Sequence, residues 1–140
     1  MTQLDREILA EKIAAVERHL LRVAKRLPAD PASLRPSTDA ADSVILHLWQ
    51  AVQIIIDLAL STCLNLKLGT PASYADSFRS LAQAGYLDRE LADRLTKAAG
   101  FRNLVVHTYE NLDMRRIHEA AVNGPADLRS FLQALGKLVS

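Results

Sequence analysis

The chain has 140 residues, 49% of them apolar and 24% charged, which suffices to bury a core without covalent staples. Seventeen basic against sixteen acidic residues give a formal charge of +1, which argues against broad, non-specific polyanion binding and confines any nucleic-acid contact to a local patch. The lone cysteine, Cys63, excludes an intrachain disulfide framework and fits a reducing cytoplasm, and the charged stretch from Met1 to Lys12 lacks the apolar core of a secretory signal.

Leu4, Ile8, Ile13, Val16, Leu20, Val23 and Leu27 recur at helical spacing and predict a first helix over about 4–27, stopped by Pro28 and Pro31. A loop of Pro, Ser and Asp residues over 28–38 leads to a second helix over about 39–67, ended by Gly69 and Pro71. Ser73 reads as the cap of a short helix through Gln83 that Gly85 closes, and Asp88 as the cap of a fourth helix carrying Leu91, Leu95 and Ala98. Asp113 starts a segment over 114–122 that Asn123, Gly124 and Pro125 are expected to terminate. A last amphipathic helix then lines up Leu128, Phe131, Leu132, Leu135 and Leu138. No strand-like alternation appears, so the expected fold class is all-α: one domain over 1–140, an up-and-down bundle of five to six helices.

The second helix is apolar over most of its circumference, with His47, Gln50, Gln53, Asp57, Ser61 and Asn65 on one narrow stripe. Those polar residues argue against a membrane span over 44–68, and the remaining apolar surface points to a homodimer. The stripe reads as a solvated face, with Asp57 as the exception: a carboxylate there suits pairing with Arg102.

Arg102, His107 and Tyr109 stand within the otherwise apolar run Phe101-Arg102-Asn103-Leu104-Val105-Val106-His107-Thr108-Tyr109 of the fourth helix. Metal-free RNA cleavage requires removing the 2′-hydroxyl proton, protonating the leaving 5′-oxygen and stabilising the charge between them. An imidazole suits either proton transfer, and a guanidinium fork suits two phosphate oxygens, so Arg102 and His107 are the catalytic candidates. On a straight helix they stand about 140° apart. A distortion near Gly100, a bent Arg side chain, or a site shared by two protomers would bring them together, and the last also uses the apolar surface of the second helix. Asn103, one turn before His107, is a supporting candidate for holding the imidazole or reaching a phosphate.

The pattern Arg102, four residues, His107, one residue, Tyr109, together with the turn Gly69-x-Pro71-x-Ser73-Tyr74 and the Phe78, Leu81 and Gly85 that follow, resembles the HepT toxin family of the HEPN superfamily along nearly the whole chain. The resemblance implies a homodimeric helical bundle with metal-independent RNase activity and no cofactor, the toxin of a toxin–antitoxin pair. It also implies an antitoxin partner, a minimal nucleotidyltransferase of the MntA type, that transfers AMP to the motif tyrosine, here Tyr109. The superfamily also contains non-catalytic members that partner nucleotidyltransferases, which is the alternative reading.

Arg18, Arg22, Lys25 and Arg26 form one line on the first helix, continued by Glu7 and Glu11, and read as a solvated face rather than an RNA track. Arg115, Arg116 and His118 read equally as a phosphate-binding rim or as solvent-facing residues. His19 and His47 are isolated from any Cys, Asp or Glu at ligand spacing, so no metal site is expected, and Trp49 reads as core or interface.

Overall fold

Local chemistry sets both ends of the second and third helices. In a computed structural model, which describes residues 3–108 and 111–139, with side chains described for 5–105 and 111–139, the chain forms α1 (Gln3–Arg26), α2 (Asp39–Asn65), α3 (Tyr74–Gln83), α4 (Arg89–Thr108) and α5 (Met114–Val139). The Thr38 hydroxyl accepts the Ala41 N–H at 3.2 Å, and Asp39 and Asp42 lie in the first turn of α2, where the helix dipole favours acids. The Ser73 hydroxyl caps α3 in the same way through Asp76 N–H at 3.2 Å. Between α1 and α2, Asp30 caps a 3-10 turn, Pro31–Ser33, within the stretch expected as plain loop.

Two helices end in the same hydrogen-bonded cap. After α3, Tyr86 N–H reaches Leu81 O at 2.9 Å and Gly85 N–H reaches Ala82 O at 3.0 Å, with Gly85 at φ +87°. After α2, Leu68 N–H reaches Cys63 O and Lys67 N–H reaches Leu64 O, so Lys67, at φ +58°, takes the left-handed cap position two residues before Gly69, the residue expected to end the helix and itself at φ +97°.

The expected break at Asn123-Gly124-Pro125 is absent, and α5 runs through all three residues. Proline has no N–H to give to the carbonyl four residues back, yet Ile117, His118 and Ala121 before it and Leu128, Phe131, Leu132 and Leu135 after it are all buried. Burial of that continuous face outweighs one missing backbone bond, and the described residues form five helices and no strand.

The core sits around α2, which packs against every other helix. Fully buried Phe78 of α3 and Phe131 of α5 meet edge to face, their centroids 5.8 Å apart. Cys63 is wholly buried, donates its S–H to Ser77 O, and burial raises its thiol pKa, as befits a packing residue. Helix α5 is tied back to α1 by the Arg129 guanidinium, which donates to both Glu17 carboxylate oxygens at 2.9 and 3.2 Å. By length and composition α2 would cross a membrane, but helices cover its inner face and the polar stripe occupies part of its outer one.

Candidate functional site

Arg102 is half-buried where α4 passes α2 and α3. Its Nε donates to Gln53 Oε1 at 3.0 Å, and its Nη1 donates to Asn103 Oδ1 at 3.2 Å. The Gln53 amide is oriented from its other end, where Nε2 donates to Asp57 Oδ1 at 2.9 Å. Asn103 Nδ2 in turn donates to the Tyr74 hydroxyl at 2.8 Å. A chain of hydrogen bonds thus runs Asp57, Gln53, Arg102, Asn103, Tyr74 across three helices.

The expected Asp57–Arg102 ion pair is not formed. Gln53, one helical turn before Asp57, stands between them: its oxygen takes the guanidinium N–H and its nitrogen serves the carboxylate. The carboxylate therefore acts on Arg102 through a fixed amide. This holds the Nε and one Nη1 proton inward and leaves Nη2 without a partner among the described residues, in the geometry suited to an outside anion. Asn103 is likewise turned to Arg102 and Tyr74. The backbone of position 107 lies in α4, but the His107 side chain and all of Tyr109 lie outside the described residues.

Sequence reasoning missed two members of this network. By pattern Gln53 belongs to a solvated stripe, and its four-residue spacing to Asp57 is the available signal. Tyr74 stands out in the sequence only as part of a turn motif, and its contact with Asn103 spans 29 positions.

The other flank of α4 borders a cleft of about 640 Å³ whose floor includes Leu48, Phe101 and Leu104, with Lys97 and Arg116 among its lining residues. Arg115 and Arg116 are exposed, but His118 is neither rim nor solvent-facing: it is buried and its Nε2 bonds Pro28 O at 2.7 Å, pinning α5 to the end of α1. No group of three or more His, Cys, Asp or Glu side chains suited to a metal ion occurs among the described residues. The solvent-facing side of α2 carries exposed Leu46, Leu60 and Leu64, which fall within about 40° of Gln53 on the helical wheel.

Fold and site together define an all-helical protein that presents a braced guanidinium near its surface. The family described as Ribonuclease HepT-like matches residues 16–135, and the chain belongs to that family. It is 30% identical over 129 residues to the mRNA nuclease HepT of Shewanella oneidensis, covering 92% of this chain and 96% of that protein. The solved structure of the tri-AMPylated Shewanella oneidensis HEPN toxin in complex with MNT antitoxin superposes with a TM-score of 0.83 at 29% identity, covering 98% of this chain and 99% of that one. A toxin–antitoxin structure with AMP-PNP gives 0.84 at 29% identity, covering 94% and 98%. The Bacillus subtilis cytosolic protein YutE shares the fold, with a TM-score of 0.81 at 16% identity, covering 96% and 90%.

Proposed function

We propose that the chain is a metal-independent endoribonuclease, the cytoplasmic toxin of a toxin–antitoxin pair whose antitoxin is a nucleotidyltransferase. The observation that carries this is the bracing of Arg102 by Gln53 and Asn103, which fixes a phosphate-gripping fork on the helix that bears His107 five positions later. The relatives named as an mRNA nuclease and as an antitoxin-bound, AMPylated toxin support the same reading.

Arg102 holds two non-bridging oxygens of the scissile phosphate. The 2′-oxygen bonds to phosphorus as its proton passes to a base, the bond to the 5′-oxygen breaks, and that oxygen takes a proton; the products are a 2′,3′-cyclic phosphate and a 5′-hydroxyl. His107 carries one of these proton transfers. Arg102 stabilises the charge that develops on the phosphoryl oxygens, and Asp57 and Asn103 act only by aiming it. On the other flank of the same helix, exposed Lys97 and Arg116 suit phosphates flanking the cut.

Two copies pair over the outer face of α2, where Leu46, Leu60 and Leu64 need cover and lie alongside Gln53 and Asp57. That pairing brings the Arg102 of one protomer toward the His107 of the other and removes the 140° mismatch. The antitoxin transfers AMP to Tyr109, placing a bulky anion beside the phosphate site and excluding RNA.

Purified protein should cleave RNA in EDTA, and His107→Ala should abolish cleavage. Intact RNA with wild-type protein would favour the non-catalytic partner reading, and undiminished cutting by His107→Ala would remove the mechanism.

A further inference from the structure

We propose that His19 and His47 form a two-imidazole site for a divalent transition-metal ion, Cu²⁺ or Ni²⁺, which clamps α1 to α2. The residues are 28 positions apart, and neither has a Cys, Asp or Glu at ligand spacing in the sequence, yet folding brings their Nδ1 atoms to 3.0 Å. The rings lie 5.2 Å apart between centroids and tilt by 32°, and both are half-buried, so a solvent path reaches them.

The separation is the bite of a metal chelate. With metal–nitrogen bonds of about 2.05 Å, two nitrogens 3.0 Å apart subtend about 94° at the ion, the right angle of tetragonal or octahedral coordination. A tetrahedral ion needs roughly 3.3 Å at the same bond length, so Zn²⁺ fits less well. Helices α1 and α2 already hold the rings side by side, and the ion has to replace the hydrogen bond between them.

One Nδ1–H donates to the other Nδ1. For the metal to bind both, that proton moves to the Nε2 of the same ring, a change of tautomer with no change of charge. Burial, then His47, Arg22 and Arg18, lower the pKa of His19; burial and then Arg22 lower that of His47. Both rings are therefore neutral at pH 7, the ligating form. The same arginines repel a cation, which keeps the site weaker than a designed chelate, and both are exposed residues of α1. Among the described residues no third His, Cys, Asp or Glu joins the pair, so water completes the coordination.

The site is independent of the ribonuclease reading and is tested without it. Calorimetric titration of the full chain with NiCl₂ and CuCl₂ at pH 7.5 should show one ion per protomer. Cu²⁺ should bind more tightly than Ni²⁺, and nitrogen hyperfine splitting should appear in the Cu²⁺ electron paramagnetic resonance spectrum. His19→Asn and His47→Asn, verified as folded by circular dichroism, should each weaken Ni²⁺ by about tenfold or more. Arg22→Gln should tighten it, and Ni²⁺ should raise the melting temperature of the wild type but not of the double histidine variant. Unchanged Ni²⁺ affinity in the double variant, or unchanged or weaker affinity in Arg22→Gln, would overturn the proposal.

Discussion

Replacing Gln53 by Ala tests whether Arg102 is aimed by its neighbours or merely lies beside them. The substitution removes the acceptor of Arg102 Nε and the donor to Asp57 together, leaving the guanidinium its 3.2 Å bond to Asn103. A hydrogen bond to a charged group contributes about 1.5–3 kcal/mol, and half-burial of Arg102 puts this one near the lower end. At about 1.4 kcal/mol per tenfold in rate, kcat/KM for a fluorogenic RNA should fall by roughly tenfold. The loss should appear in kcat, since the aimed guanidinium matters most as charge develops. Gln53 is itself partly exposed, so the unfolding free energy should change by less than about 1 kcal/mol. Asp57→Ala should slow the wild type but add nothing to Gln53→Ala, because the carboxylate acts through the amide. Wild-type cleavage by Gln53→Ala, or additive losses in the double variant, would refute the bracing argument.

Phe131→Ala removes one ring of the edge-to-face pair at a site with no exposure and should cost about 3–5 kcal/mol, read from urea unfolding; a cost below about 1 kcal/mol would contradict the packing described. Lys67→Gly relieves a left-handed backbone at a helix cap and should stabilise the fold by about 1 kcal/mol, with a melting temperature about 2–4 °C higher. His118→Ala strips Pro28 O of its buried donor and should destabilise by about 1–3 kcal/mol, more than replacement of exposed Arg115. The pH dependence follows from the histidine pair. Burial and the facing positive charges hold both pKa values below the ordinary 6.5, so in that range the unfolded chain binds protons that the folded chain refuses. This contribution is fully present above about pH 6.5 and is lost as the pH falls through the lower folded-state values. The wild-type urea midpoint should therefore drop between pH 7.5 and 5.5 by more than that of His19→Asn/His47→Asn, and equal drops would count against it.

The sequence was legible where its signals are local. Ser73 and Gly85 bound the third helix through bonds that reach only a few residues, and the apolar period of the first helix stands almost to its predicted ends. It misled where a tertiary force outweighed a local one. Asn123-Gly124-Pro125 is a helix stop by propensity, but the buried face shared by Ala121 and Leu128 carries α5 through it. The polar stripe of α2 is correct as a pattern, yet nothing in its spacing says that Gln53 faces a guanidinium 49 positions away while Leu60 and Leu64 face outward. His19 with His47, and His118 with Pro28, are likewise contacts across the bundle, invisible to any window of residues.

Attack by the 2′-oxygen leaves its mark in the chemistry of the cut ends. RNA incubated with the protein in EDTA should yield fragments ending in 2′,3′-cyclic phosphate and starting with 5′-hydroxyl, by mass spectrometry. A single 2′-deoxy substitution at the cleavage position should block the cut there. Fragments carrying 5′-phosphate, or cleavage undiminished by the 2′-deoxy substitution, would contradict attack by the 2′-oxygen on a phosphate held by Arg102.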